Sequence, residues 1–292
     1  MLRTIESEKI KVVIDEKGAQ LASLKLQNDD TEYLWQGDPK YWADRAILLF
    51  PICGRLIEGR YTYEGKSYDM TIHGFIRRAD MAVSAMTKDC LRLTFSFNEE
   101  TLKEYPFRFL YEITFRAQGN TLHTQIEVTN LDQVPLPFAV GGHPGFNVPL
   151  ESGLSFEDYQ LTFSEVKPVK KLILTDTCFM TPEKEAFPLE GGTTYRLHHS
   201  MFDNDAIFIT DMADTVTLKS EKGTRAVTVS YPNTPYLGFW HKPKSDAPYI
   251  CIEPWHGLPS DDGVVDDLAT KHDMVRLPAG MHWNCEFSIT LQ

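Results

Sequence analysis

Three short segments set groups able to move protons in glycine- or proline-rich backbone. They are Gly141-Gly142-His143-Pro144-Gly145-Phe146-Asn147, then Ile252-Glu253-Pro254-Trp255-His256-Gly257. The third pairs Pro51-Ile52-Cys53-Gly54-Arg55 with Thr71-Ile72-His73-Gly74-Phe75-Ile76-Arg77-Arg78. Pro144 biases His143 toward extended backbone. The flanking glycines remove Cβ bulk, so an imidazole can stand beside a bound molecule. Glu253 follows the apolar run Tyr249-Ile250-Cys251-Ile252, and a carboxylate ending a buried strand must be paired or used. An imidazole and a carboxylate together suit general acid–base chemistry. Each also has a plain structural alternative. His143 could hydrogen-bond a turn, Glu253 could sit in an internal ion pair with an arginine, and His73 could be a turn histidine.

Other chemistries find no support. HxH and HExxH spacings are absent, as are GxGxxG, a P-loop and GxSxG, which disfavours a catalytic metal, nucleotides and an α/β-hydrolase. The five cysteines are scattered with no CxxC, so neither a zinc ribbon nor a disulfide framework is expected. Cys285 reads as a small core residue. His123, His198, His199 and His272 read as surface residues. Asp261-Asp262 and Asp266-Asp267 read as a solvated loop, with a calcium site as the alternative.

The net charge of −12 over 292 residues argues against nucleic acid or an anionic membrane as partner. No run of 18 apolar residues occurs, and Met1 to Lys9 contains no apolar signal-peptide core. With the cysteine usage, the expected location is cytoplasmic.

The elements that must position these groups read at period two. Phe109, Tyr111, Ile113 and Phe115 alternate with polar neighbours. Gly119-Asn120 turns the chain, and Leu122, Ile126 and Val128 resume the pattern, as in a hairpin with one buried face. Leu91–Phe97, Val216–Val229, Tyr61–Tyr68 and Cys285–Leu291 behave alike. Helical signals are confined to Glu99–Tyr105, stopped by Pro106, and Asp38–Asp44. No linker divides the chain. The expectation is all-β, with many antiparallel strands in one domain over residues 1–292. A monomer and a homodimer are equally compatible with this pattern.

Taken together, these motifs resemble the aldose 1-epimerase (galactose mutarotase) family, in particular its smaller branch often encoded beside lactose-utilisation genes. The family's His-Pro-aromatic-Asn stretch is matched by His143-Pro144-Gly145-Phe146-Asn147, with one glycine inserted. Its His-Gly turn is matched by His73-Gly74, the preceding arginine by Arg55 and the C-terminal glutamate by Glu253. A sugar-binding aspartate is matched by Asp203 or Asp205. The resemblance implies a β-supersandwich and an enzyme interconverting the α and β anomers of a galactose- or glucose-like sugar, without metal or redox cofactor. It implies Glu253 as base toward O1 and His143 as acid toward O5, on opposite sides of the sugar. Carboxylates such as Asp203 or Asp205 should then favour a protonated His143. His73, Arg55 and Arg77 would bind substrate. Trp240, Trp255 or Phe146 could face the sugar, core packing being the alternative. Arg55, Arg60, Arg77 and Arg78 also suit a phosphate, so a hexose-phosphate mutarotase is one alternative. A non-catalytic carbohydrate-binding protein is another.

Overall fold

Buried residues alternate with more exposed ones along Phe109–Gln118 and Thr121–Asn130, two paired interior strands of a nine-stranded antiparallel sheet. Thr101–Glu104 is the one short α-helix. The Asn98 side chain accepts from the Thr101 amide at 3.0 Å, and the helix ends before Pro106. Asp38–Asp44 forms turns instead of the expected helix. The Asp38 carbonyl accepts from the Tyr41 and Trp42 amides, and the Trp35 indole N–H donates to the Trp42 carbonyl at 2.8 Å. Packing of both indoles on Tyr249 overrides local helical preference here.

A second sheet has seven antiparallel strands. They run in the order Met180–Ala186, Lys170–Leu174, Ile207–Thr210, Tyr236–Trp240, Tyr249–His256, Val140–Asn147 and Ala46–Leu49. This computed structural model describes residues 1–292. The two large sheets pack face to face. Phe163 meets Phe239 edge-on across the interface, and a Cβ on Gly142 would lie 2.7 Å from the Phe287 ring. One cluster of 71 buried apolar residues draws on both sheets.

The central strands of the seven-stranded sheet lack alternation, and Ala46–Leu49 and Ile207–Thr210 are almost wholly buried. Val140–Asn147 and Tyr249–His256 bury both faces. Their second face is covered by the loop carrying Trp35 and Trp42. A Cβ at Gly145 would sit 3.2 Å from both of these side chains, so the glycine inserted in the histidine motif is where the tryptophan loop closes over the sheet. Phe146 points the other way and is fully buried in the core.

Two expectations about polar residues fail. Asp266 is buried, where its carboxylate accepts from the Ser260 hydroxyl, so that part of the acidic segment is no solvated loop. His199 stacks on Phe156 at 4.1 Å and bonds His241, so it is a packed residue. His272 is exposed, and His123 pairs with Glu286 on the surface.

Candidate active site

A single row of residues crosses the seven-stranded sheet on the face opposite the sandwich core. Val140–Asn147 and Tyr249–His256 keep one register from Val140↔His256 to Asn147↔Tyr249, which sets His143 opposite Glu253. Ile47 flanks His143, Gly238 flanks Glu253, and Phe208 lies beyond Gly238. Residues opposite each other in a sheet hold their side chains together on one face. Gly238 adds no side chain, which lets the Phe208 ring close up beside Glu253. A Cβ there would meet Glu253 Cβ at 3.3 Å and the Phe208 ring at 2.9 Å.

This row floors a cleft of about 250 Å³, also lined by Trp42, Arg55, His73, Arg77, Asp205, Trp240 and Trp255. His143 Nε2 lies 3.2 Å from Glu253 Oε1, and both side chains are buried. His143 Nδ1 and Glu253 Oε1 have no hydrogen-bond partner. Buried polar atoms are rarely left so. The two groups stand side by side, not on opposite sides of a sugar as expected.

Burial governs their protonation. It pushes the His143 imidazole down to about 3, with nearby Arg77 adding to the effect, and it pushes the Glu253 carboxyl well above its usual range, with Asp205 adding to that. Burial therefore runs against the expected protonated His143 in the open cleft. Desolvation disfavours the charged imidazole, and Asp205 acts on Glu253 instead. Both directions favour a neutral imidazole beside a protonated carboxyl.

His73 adopts left-handed backbone, with φ of +65°. It is held there twice: its N–H donates to the Gly54 carbonyl at 2.8 Å, and its Nδ1 accepts from the Gly54 N–H at 3.1 Å. An accepting Nδ1 places the ring proton on Nε2 of a neutral imidazole. Burial, with Arg77 and Arg55 adding to it, holds its pKa well below the usual range. His73 therefore offers one fixed donor. Its ring meets His143 edge-on at 5.4 Å and Trp255 at 5.5 Å.

Asp205 and Asp203 part company. Asp205 lines the cleft. Its carboxylate accepts from Trp240 Nε1 at 2.8 Å and the Cys178 thiol at 2.8 Å, and it faces Arg55 Nη2 at 3.5 Å. Asp203 is exposed and does not line the cleft. Arg77 does line it, 3.5 Å from Asp44, and its buried Nε has no partner. Arg60 pairs with Glu58, and neither it nor Arg78 reaches the cleft.

Two cleft features escaped the sequence reading. Trp42 packs on the His143 ring at 4.8 Å, from an irregular loop whose pattern carries no signal. Cys178 was one of several scattered cysteines until the chain brought it to Asp205.

The aldose 1-epimerase family model matches residues 1–284. The chain belongs to the aldose 1-epimerase family. It is thus one of a family of isomerases, the mutarotases, and its all-β architecture is the galactose mutarotase-like fold. Protein LacX of Lactococcus lactis is 32% identical over 262 residues, 87% of each chain. A galactose mutarotase related enzyme from Lactobacillus acidophilus superposes with a TM-score of 0.94 at 34% identity, covering 100% of this chain and 97% of that one. A galactose mutarotase-like protein from Lactobacillus casei gives 0.95 at 33%, covering both chains fully. No helix is long and apolar enough to cross a membrane.

Proposed function

We propose that this epimerase interconverts the anomers of a free galactose- or glucose-like aldose, with His143 and Glu253 as its proton-transfer pair. The observation that carries this reading is the 3.2 Å approach of His143 Nε2 and Glu253 Oε1, both buried, on the floor of the cleft. O1 and O5 of an aldose are bonded to the same carbon. Ring opening must remove a proton from one and give a proton to the other, so donor and acceptor have to be neighbours.

With the proton on Glu253, its carboxyl protonates O5 as the C1–O5 bond breaks, and the imidazole takes the O1 proton. The aldehyde then rotates about C1–C2. O5 attacks its other face while Glu253 recovers the O5 proton and His143 returns one to O1. In this closing half Glu253 is the base and His143 the acid. No net proton is consumed. His73 Nε2–H is a donor for the ring oxygen or a hydroxyl, and Arg55 and Asp205 bind hydroxyls. A cleft of about 250 Å³, below the range of drug-sized sites, suits one monosaccharide.

Polarimetry of freshly dissolved α-galactose tests this. Wild type should speed the approach to equilibrium and Glu253→Gln should not; a wild-type rate equal to buffer would leave a carbohydrate-binding protein as the reading.

A hexose phosphate is the second reading, favoured by one feature. Arg55 and Arg77 share the cleft, and Arg77 Nε is buried without a partner. Guanidiniums suit phosphate oxygens. A higher kcat/KM for galactose 6-phosphate than for galactose, lost in Arg77→Ala, would select it.

A further inference from the structure

Beside the proton-transfer pair lies a thiol with no assigned task. Cys251 precedes Glu253 by two residues on one strand, so both side chains emerge on the same face. Cys251 is fully buried, and His143, Cys251 and Glu253 bring one nitrogen, one sulfur and one oxygen within 4.8 Å of one another. Glu253 Oε1, on a side chain only 2% exposed, is without a hydrogen-bond partner and points into this group.

We propose that His143, Cys251 and Glu253 form a latent site for a borderline-soft divalent cation such as Zn²⁺, whose occupation switches the enzyme off. Imidazole, thiolate and carboxylate are the donors Zn²⁺ takes, and three protein ligands leave its fourth position open toward the cleft. The sulfur favours Zn²⁺ or Co²⁺ over Mg²⁺ and Ca²⁺, which prefer oxygen alone. Metal–ligand distances of about 2.0–2.3 Å require the thiol to close on the pair by side-chain movement. Binding breaks the Cys251 S–H bond and the Glu253 O–H bond. Both protons go to solvent, the electron pairs stay on sulfur and oxygen to form the metal bonds, and nothing is oxidised. A bound cation occupies the His143 lone pair and the Glu253 carboxylate, so neither can move a proton. Inhibition thus rests on the proton-transfer reading, whereas cation binding does not.

The test uses metal-stripped full-length protein titrated with Co²⁺. A thiolate-to-cobalt charge-transfer band should grow and saturate at one equivalent, and Zn²⁺ should abolish it. Loss of an outer-shell partner alone costs about 10–100-fold in affinity, so Cys251→Ala should bind Co²⁺ at least about 100-fold more weakly. Cys251→Ser and His143→Gln should also lose the band, while Cys178→Ala keeps it. In polarimetry, Zn²⁺ should stop the wild-type enzyme, EDTA should restore it, and Cys251→Ala should stay active with Zn²⁺ present. No saturable band, or a band that survives in Cys251→Ala and Cys251→Ser, overturns the site. Catalysis without Co²⁺ binding defeats the metal site alone. Co²⁺ binding without catalysis in the metal-free protein defeats the proton-transfer reading alone.

Discussion

Two buried histidines in this molecule have opposite surroundings. His241 is fully buried among Phe156, Phe202 and Tyr249. Its Nδ1 donates to the Lys242 carbonyl at 2.7 Å, which leaves Nε2 to accept from His199 Nδ1 at 3.2 Å. Every ring nitrogen of His241 is satisfied within the protein. His143 is nearly as buried, yet its Nδ1 has no partner, and its Nε2 faces a carboxylate oxygen that has none either. Burial pushes both imidazoles down, to about 4 for His241 and about 3 for His143. The shifted pKa therefore does not tell a working histidine from a packed one. Unspent hydrogen-bonding capacity facing a cleft does.

Mutation should separate the two sites. In His143→Gln the catalysed rate of mutarotation should fall about 10²–10⁴-fold with the far-ultraviolet circular dichroism unchanged. His241→Phe should do the reverse. It strands the Lys242 carbonyl and the His199 donor, which should cost about 1–3 kcal/mol in denaturant unfolding, with kcat falling far less than in His143→Gln. Equal kinetic losses in both variants would break the comparison. The two aspartates sharpen it further. Asp205→Asn removes the charge facing Arg55 and should raise KM roughly tenfold or more, the scale of a charged hydrogen bond. Asp203→Asn should leave both kcat and KM unchanged.

Period two points to an all-β chain because one-sided burial imprints alternation on a strand. The hairpins Phe109–Asn130 and Val216–Val229 were legible for that reason, as was the Tyr61–Tyr68 turn at Glu64-Gly65. Val140–Asn147 was not legible as a strand. It is buried on both faces and holds three glycines and a proline, so its composition resembles a loop. What could be read there was the chemistry: His143, Glu253, His73, Arg55, Arg77 and Asp205 all line one cleft. Which aspartate, and how the pair is arranged, depend on pairings between distant strands. His143 and Glu253 meet through a cross-strand register that no local pattern encodes. Period two did contain one unread clue, since Cys251 had to share a face with Glu253.

The smallest expected effect concerns stability, and it bears on the cost of leaving the pair unsatisfied. Glu253 has a folded-state pKa raised well above its ordinary value of 4.5. Between those two values the unfolded chain has released the proton while the folded chain still holds it. Stability must therefore fall as pH rises above about 4.5 until Glu253 ionises in the folded state. His143 acts on the acid side. Its folded pKa of about 3 lies below the ordinary 6.5, so stability falls as pH drops from 6.5 toward 3. Glu253→Gln keeps the shape and removes the first dependence. Measured with EDTA present, its Tm should match wild type near pH 4 and exceed it at pH 8, and the excess should grow with pH in between. A wild-type Tm at or above that of Glu253→Gln at pH 8 would mean that the carboxylate is already compensated inside the protein, as His241 is, and the distinction between the two sites would collapse.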